Sequence, residues 1–283
     1  MRIAVLADIH GNSPALEAVL ADLQPFMVDG IIVAGDMVTG PNSGEVLNRL
    51  QDLQAWMIRG NNENYLVRFQ SGDAPDWWHT AHQWAPMRWI YRHMDSYSLE
   101  LIKSLPEQRV IARPGKDAIR VVHGSLENPS EHLYPGYGSE ALRRDLAQMN
   151  EPVLVCGHTH IPWRETKDGC LVFNPGAVGG PLNGDIGAQY ALLDWKGDGW
   201  ELEFRLVKYD LSLVRQEYVE TGFLEEGGVF AKAFLLEIEH GRNFTMRFLD
   251  YAHQQVAQAG LPVAEYIPDE IWDRAAEEFD WKS

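Results

Sequence analysis

The 283 residues carry 24 Lys+Arg against 41 Asp+Glu, a formal charge of −17, with 45% hydrophobic and 23% charged residues. That composition belongs to a folded globular chain rather than a disordered or fibrous one, and its acid excess works against a general nucleic-acid coat protein. Apolar runs such as residues 31–34 stop far below the ~18 to 20 residues of a membrane-spanning helix, and the first eight residues lack a secretory cleavage pattern. The two cysteines, Cys156 and Cys170, form no C-x-x-C pair. The expectation is a cytoplasmic chain without disulfides, with neither membrane nor nucleic-acid polymer as partner.

Residues 2–7 predict a buried strand ending at Asp8. Ser13-Pro14 then offer a helix N-cap and a first-turn proline, and Leu16, Val19, Leu20 and Leu23 place one apolar stripe on that helix. The unit repeats: residues 30–34 predict a strand buried on both faces and closed by Asp36, and Val46, Leu47, Leu50 and Leu53 mark a second amphipathic helix. Residues 55–59 predict a third strand running into Gly60-Asn61-Asn62-Glu63. Strand and helix alternating through short loops predict an α/β fold, which binds ligands beyond the carboxyl ends of its strands.

From about 62 to 107 strand signals thin out, and Trp77, Trp78, Trp84 and Trp89, four of the ten tryptophans, gather there. This predicts a helical insertion. Trp77, Ala81, Trp84, Arg88 and Tyr91 fall on one helical stripe, although Pro86 should kink or end that helix. Strands are expected again at 109–112 and 118–122, a helix at 139–149 and a buried strand at 153–156. Gly136-x-Gly138-x-x-Ala141 imitates a dinucleotide fingerprint without the preceding buried strand, and reads as a loop entering the helix. Residues 189–195 should pair with 200–206, a strand alternating apolar and polar residues, across Lys196-Gly197-Asp198-Gly199. Residues 1–210 thus form one domain, and residues 211–283 a C-terminal helical extension without a motif of its own.

Six polar clusters close the strands in order: Asp8-Ile9-His10, Gly35-Asp36, Gly60-Asn61-Asn62-Glu63, His123-Gly124, Gly157-His158-Thr159-His160 and Asn174-Pro175-Gly176. Singly, each has a bland explanation as a helix cap, a packed histidine or a turn glycine. Jointly, Asp8, His10, Asp36, Asn61, His123, His158 and His160 bring two carboxylates, one amide and four imidazoles to one sheet edge, which is a metal-binding set. Seven oxygen and nitrogen donors overfill a single ion. The count points to two ions ~3.5 to 4 Å apart with Asp36 between them. Asp8, His10 and His160 would complete one, and Asn61, His123 and His158 the other.

The order and content of these clusters resemble the calcineurin-like metallophosphoesterases, in particular their small prokaryotic phosphodiesterase branch, over residues 1–210. Asn174-Pro175-Gly176-Ala177-Val178-Gly179 is similar to the glycine-rich turn that follows the family's last ligands. The resemblance implies a four-layer α/β/β/α sandwich, two divalent ions (manganese, iron, zinc or nickel) and hydrolysis of phosphate esters. Many members place His and Asp after the metal-binding asparagine, where this chain has Asn62 and Glu63. An amide does not titrate, so Asn62 cannot serve as a general acid, but it can stabilise charge on a phosphate oxygen. Asn62 and Asp36 are the candidate catalytic residues. Glu63 is expected to hold a ligand in place, its alternative being an exposed glutamate at a helix start.

Arg59, Trp77, Trp84 and Arg88 are the candidate substrate contacts, against core packing for the tryptophans and structural or solvated roles for the arginines. His132, His79 and His82 are the alternative proton donors. The expected reaction is attack of a metal-bridging hydroxide on a phosphodiester or phosphoanhydride of a small phosphorylated substrate, nucleotides and dinucleoside polyphosphates included. The alternatives are a non-catalytic metal-loaded nucleotide-binding or scaffold module, and a phosphomonoesterase or protein phosphatase. Homo-oligomerisation is left open. No arginine stands six residues after either cysteine and no G-x-x-x-x-G-K-[ST] loop occurs, so cysteine phosphatases and P-loop hydrolases are excluded.

Overall fold

Alternate residues of a strand face opposite ways, so a strand that is apolar at every position needs cover on both sides. Ile3, Ala4, Val5 and Leu6 are all fully buried. In the computed structural model, which describes residues 1–136 and 139–282, they form strand β1 (Arg2–Leu6) at the centre of a five-stranded sheet. Helix α1 (Ser13–Leu23), β2 (Gly30–Val33), α2 (Ser43–Asp52) and β3 (Trp56–Met57) follow, with the three strands parallel. Helices α3 (Asn61–Ser71), α4 (Ala85–His93) and α5 (Ser96–Ser104) make up the insertion.

A second sheet is built from β4 (Arg109–Ile111), β5 (Ile119–Val121), β6 (Val153–Val155), β7 (Trp163–Lys167) and β8 (Cys170–Asn174), with α6 (Glu140–Gln148) between β5 and β6. Its order is β4-β5-β6-β8-β7. The chain returns to the first sheet through the hairpin β9 (Ala188–Trp195) and β10 (Trp200–Val207), giving the order β10-β9-β1-β2-β3. Five helices close it: α7 (Leu211–Glu220), α8 (Phe223–Glu226), α9 (Gly228–His240), α10 (Phe244–Gln258) and α11 (Asp269–Glu278).

The layers follow from which faces are apolar. Ile3, Val5 and Ile32 of the first sheet meet Val121, Val155 and Phe173 of the second in one buried cluster. On the outer face of the first sheet, Leu6 and Val33 pack against Leu16 of α1 and Val46 and Leu50 of α2. Leu154 and Val172 on the outer face of the second sheet cover Leu142 of α6. This is the expected α/β/β/α sandwich, and both cysteines are buried and unpaired. Helices α10 and α11 share a separate core around Phe248, Val256 and Trp272, while Leu235 and Ile238 of α9 join the core of the first sheet.

Several local expectations are corrected. Asn12, not Ser13, caps α1, accepting the Ala15 N–H at 3.1 Å, because its amide also donates to Gly179 O and the Tyr209 hydroxyl. The third strand is only two residues long, since Arg59 N–H leaves the sheet for Pro106 O. The stripe from Trp77 to Tyr91 is not one helix. Two single-turn 3-10 helices, Asp76–His79 and His82–Trp84, precede α4, and Pro86 sits in the first turn of α4, which it starts rather than ends. On edge strand β10 the second core covers Trp200 and Leu202 but not Phe204 and Leu206, which are exposed. Gly138 of the fingerprint-like stretch lies outside the described residues; beyond it Ser139 caps α6.

Candidate metal centre

The strand ends hand the chain to tight turns. Asp8, His10, Asp36, His158 and His160 have φ between 50 and 67°, a region that costs an L residue about 1–2 kcal/mol. The sandwich core holds them there through bonds between neighbouring strand ends: Asp8 N–H to Gly35 O (3.1 Å), His10 N–H to Asp36 O (3.0 Å) and Gly157 N–H to His123 O (2.8 Å). Two neighbours have to be glycine. A Cβ at Gly60 would stand 2.1 Å from Asp36 Oδ1, and one at Gly35, whose φ is +87°, would stand 2.7 Å from His123 Nδ1.

These turns gather the side chains into two groups. Ligand atoms of Asp8, His10 and His160 lie within 4.8 Å of one another, as do those of Asp36, His123 and His158. Asn61 Oδ1 adds to the second group, 3.1 Å from His123 Nε2. Asp36 Oδ2 lies 3.2 Å from His123 Nε2 and 4.0 Å from His10 Nε2, so one carboxylate reaches both groups.

Hydrogen bonds behind the rings fix where the protons are. Nδ1 of His10 donates to Val38 O (3.0 Å), Nδ1 of His160 to Gly180 O (2.6 Å), Nδ1 of His123 to Ala34 O (2.7 Å), and Nε2 of His158 to Ser130 O (3.1 Å). A carbonyl only accepts, so each of these nitrogens carries the proton and the other nitrogen of a neutral ring is a bare acceptor. His10 Nε2 and His160 Nε2 therefore face each other, lone pair toward lone pair, at 3.0 Å. Ligand atoms of seven side chains converge, and the facing lone pairs of His10 and His160 are an arrangement that a cation between them satisfies. Carboxylate, amide oxygen and imidazole without thiolate fit manganese, iron, zinc or nickel. The donor set passes the chemical test for two divalent ions.

Acidities reflect the same crowding. Burial pushes His158 and His160 down to about 3, helped by the His123 and His10 rings respectively. Burial also opposes charge on His123, but the Asp36 carboxylate outweighs it and lifts that ring to about 10. Asp36 is held below the usual carboxylate range, its burial overcome by His123, whereas burial raises Asp8 well above that range.

Glu63 is fully buried, not exposed at the helix start. Its Oε1 accepts the N–H groups of Met37 (2.8 Å) and Val38 (3.1 Å), and its Oε2 those of Asp36 (2.9 Å) and Gly60 (2.7 Å). It clasps the turn after β2 to the start of α3. Asn62 donates its backbone N–H to Asp36 Oδ1 (3.0 Å) and its side-chain amide to Asp36 Oδ2, so here the amide steadies the central carboxylate.

A cavity of about 470 Å³ opens on the cluster, lined by His10, Asp36, Asn61, Asn62, His158 and His160. Tyr65, His132 and Tyr134 flank it, and side chains of α9 and α10 form its far wall. Arg59, Trp77, Trp84 and Arg88 are not among the lining residues. Arg59 reaches Glu107 at 3.5 Å. Arg88 donates to the carbonyls of Trp78 and Ala81. Trp84 stacks on Trp78 with 3.6 Å between ring centroids, and Trp77 packs on Tyr266. Of the three alternative acids, His132 lines the cavity, its ring 4.6 Å from that of His158. His79 packs edge-on against Phe69 and His82 pairs with Asp273. The helical wall carries no motif. Its one sequence signal is that α9 is apolar nearly all round, as a helix buried on two faces must be.

Residues 1–198 match the calcineurin-like phosphoesterase superfamily domain. The chain is 28% identical over 239 residues to an uncharacterized protein of Methanocaldococcus jannaschii, covering 77% of this chain and 92% of that one. It is 25% identical over 206 residues to phosphodiesterase YfcE of Escherichia coli, covering 69% and 88%. The crystal structure of a metallophosphoesterase from Sphaerobacter thermophilus superposes with a TM-score of 0.69 at 25% identity, over 85% of this chain and 99% of that one. With its ligand cluster, its sandwich and a domain match over most of its length, the chain is a phosphate ester hydrolase and belongs to the calcineurin-like phosphoesterase superfamily.

Proposed function

We propose that the chain hydrolyses a phosphodiester or phosphoanhydride of a small substrate at two divalent ions, with Asp36 shared between them, Asp8, His10 and His160 on one, and Asn61, His123 and His158 on the other. The observation that carries this reading is the convergence of the seven side chains, with the Nε2 atoms of His10 and His160 facing each other at 3.0 Å. The phosphodiesterase named among the relatives supports it. Ions held there supply Lewis acidity toward phosphate oxygens and acidify water at neutral pH. The chain's own residues do the rest. Glu63 fixes the turn that presents Asp36, Asn62 holds the Asp36 oxygens in place, and the carbonyls of Val38, Ala34, Ser130 and Gly180 keep each imidazole in the tautomer that offers a lone pair inward.

An amide at position 62 gives no proton to the departing oxygen. Turnover of manganese-loaded protein on a series of aryl and alkyl phosphodiesters is expected to fall steeply as the leaving group becomes more basic, with an aryl diester favoured over its monoester. A flat dependence would contradict this and turn attention to His132 as the acid.

A further inference from the structure

The cavity over the ligand cluster is larger than one phosphate needs, about 470 Å³, within the range of small-molecule pockets. Beyond the ligands its lining changes character. Tyr218 of α7, Phe230, Phe234 and Ile238 of α9, and Met246 and Leu249 of α10 line it on this side. Phe230 and Phe234 stack with 5.9 Å between centroids. Around the mouth Ile161, Tyr134 and Met246 stay exposed by 38%, 48% and 48%, apolar surface of the kind that marks a binding site when it is contiguous.

Charge in this wall is as telling as its apolarity. No lysine or arginine is among the residues that line the cavity. The only acidic or basic side chain that α7, α9 and α10 contribute is a carboxyl, Glu237. The start of α10, which would otherwise offer N–H groups to an anion, is already occupied. Thr245 N–H donates to Glu237 Oε1 at 2.8 Å, Met246 N–H to Asn243 Oδ1 at 2.8 Å, and Phe244 N–H to Arg242 O at 3.0 Å. A second or third phosphate placed here would leave water for a wall that has no cation and whose backbone N–H groups at the start of α10 are already paired. An uncharged ring or hydrocarbon would bury its surface against Phe234, Ile238 and Leu249.

On the phosphoesterase reading given above, we propose that α9 and α10 form an ester-group pocket. It selects substrates with a single phosphate and an uncharged, carbon-rich ester group, and it discriminates against nucleoside and dinucleoside polyphosphates. The helical extension is thereby the specificity element of the enzyme.

The test uses the full chain loaded with manganese and two diesters with the same leaving group, phenyl p-nitrophenyl phosphate and methyl p-nitrophenyl phosphate, beside a dinucleoside tetraphosphate. Because the bond broken is the same in both diesters, the change of their ratio between wild type and variants reports the pocket. The phenyl diester is expected to exceed the methyl one at least tenfold in kcat/KM, mostly through KM, and to exceed the tetraphosphate by as much. Phe234→Ala, and separately Met246→Ala at a half-exposed position that leaves the core intact, should each lower the phenyl-to-methyl ratio at least threefold in protein whose melting curve stays cooperative. Equal rates for the two diesters, a preferred tetraphosphate, or a ratio that neither variant changes would overturn the pocket. Should no phosphate ester be turned over, the catalytic reading fails and calorimetry decides the pocket by itself. Phenylphosphonate binding at least tenfold tighter than methylphosphonate supports it, and equal affinities overturn it.

Discussion

Asp36 accepts two hydrogen bonds from Asn62 and lies within 4.0 Å of both His10 and His123. Asp36→Asn would aim an amide N–H into a ring of acceptors and remove the charge that two cations would share. We expect kcat/KM to fall at least about a thousandfold and both ions to be held more weakly; steady-state rates and metal titration check this, and retained turnover would sink the bridging role. Glu237 offers a test away from the ligands. Burial raises its carboxyl from an ordinary 4.5 to about 7, so the folded protein keeps this proton after the unfolded chain has lost it. The stability linked to it is full below about pH 4.5 and is lost as the pH rises through about 7. Glu237→Gln keeps an acceptor for Thr245 N–H. In chelator-treated protein the variant should match wild type near pH 4.5 and exceed it by about 3 kcal/mol above pH 7, read from urea unfolding across that range. Parallel pH profiles for the two proteins would contradict the assignment.

At the scale of elements, the clustering of the candidate ligands was legible because each of them follows a strand, and a parallel strand must end where its turn begins. Asp8, Asp36 and His158 stand just past buried apolar runs, and periodicity finds such runs without any contact information. What periodicity could not weigh was competition among similar residues. Asn12 and Ser13 are equally good caps, and only Gly179 and Tyr209, far along the chain, decide for Asn12. The β7–β8 hairpin lay beyond the strands expected, although Asp168-Gly169, with φ of 52° and 80°, is the two-residue turn that signals one. The tryptophan stripe misled because Trp77, Trp78 and Trp84 pack on one another and on Tyr65, a cluster that one continuous helix does not make. Gly60 shows how closely a turn and a ligand are fitted. Gly60→Ala would press a Cβ against Asp36, and we expect it to weaken metal affinity at least tenfold with an unchanged helical circular-dichroism spectrum. Wild-type affinity in this variant would mean that the junction of β3 and α3 does not position the site.

Over the whole molecule, the sandwich brings residues separated by 150 positions, such as His10 and His160, to 3.0 Å of each other. Its core stabilises five left-handed turns that would not persist alone. Helices α9 and α10 add none of the candidate ligands, yet they line the cavity with apolar side chains. That wall was the least legible part of the chain, because an apolar helix announces burial without saying what it faces. The most direct measurement is the metal content of the full-length protein, reconstituted with manganese, freed of excess ion and analysed by mass spectrometry beside its Asp36→Asn variant. The account predicts two ions per wild-type chain, a rise in melting temperature that a chelator reverses, and at most one ion in the variant. A wild-type chain that holds a single ion or none, or a variant that still holds two, would contradict it.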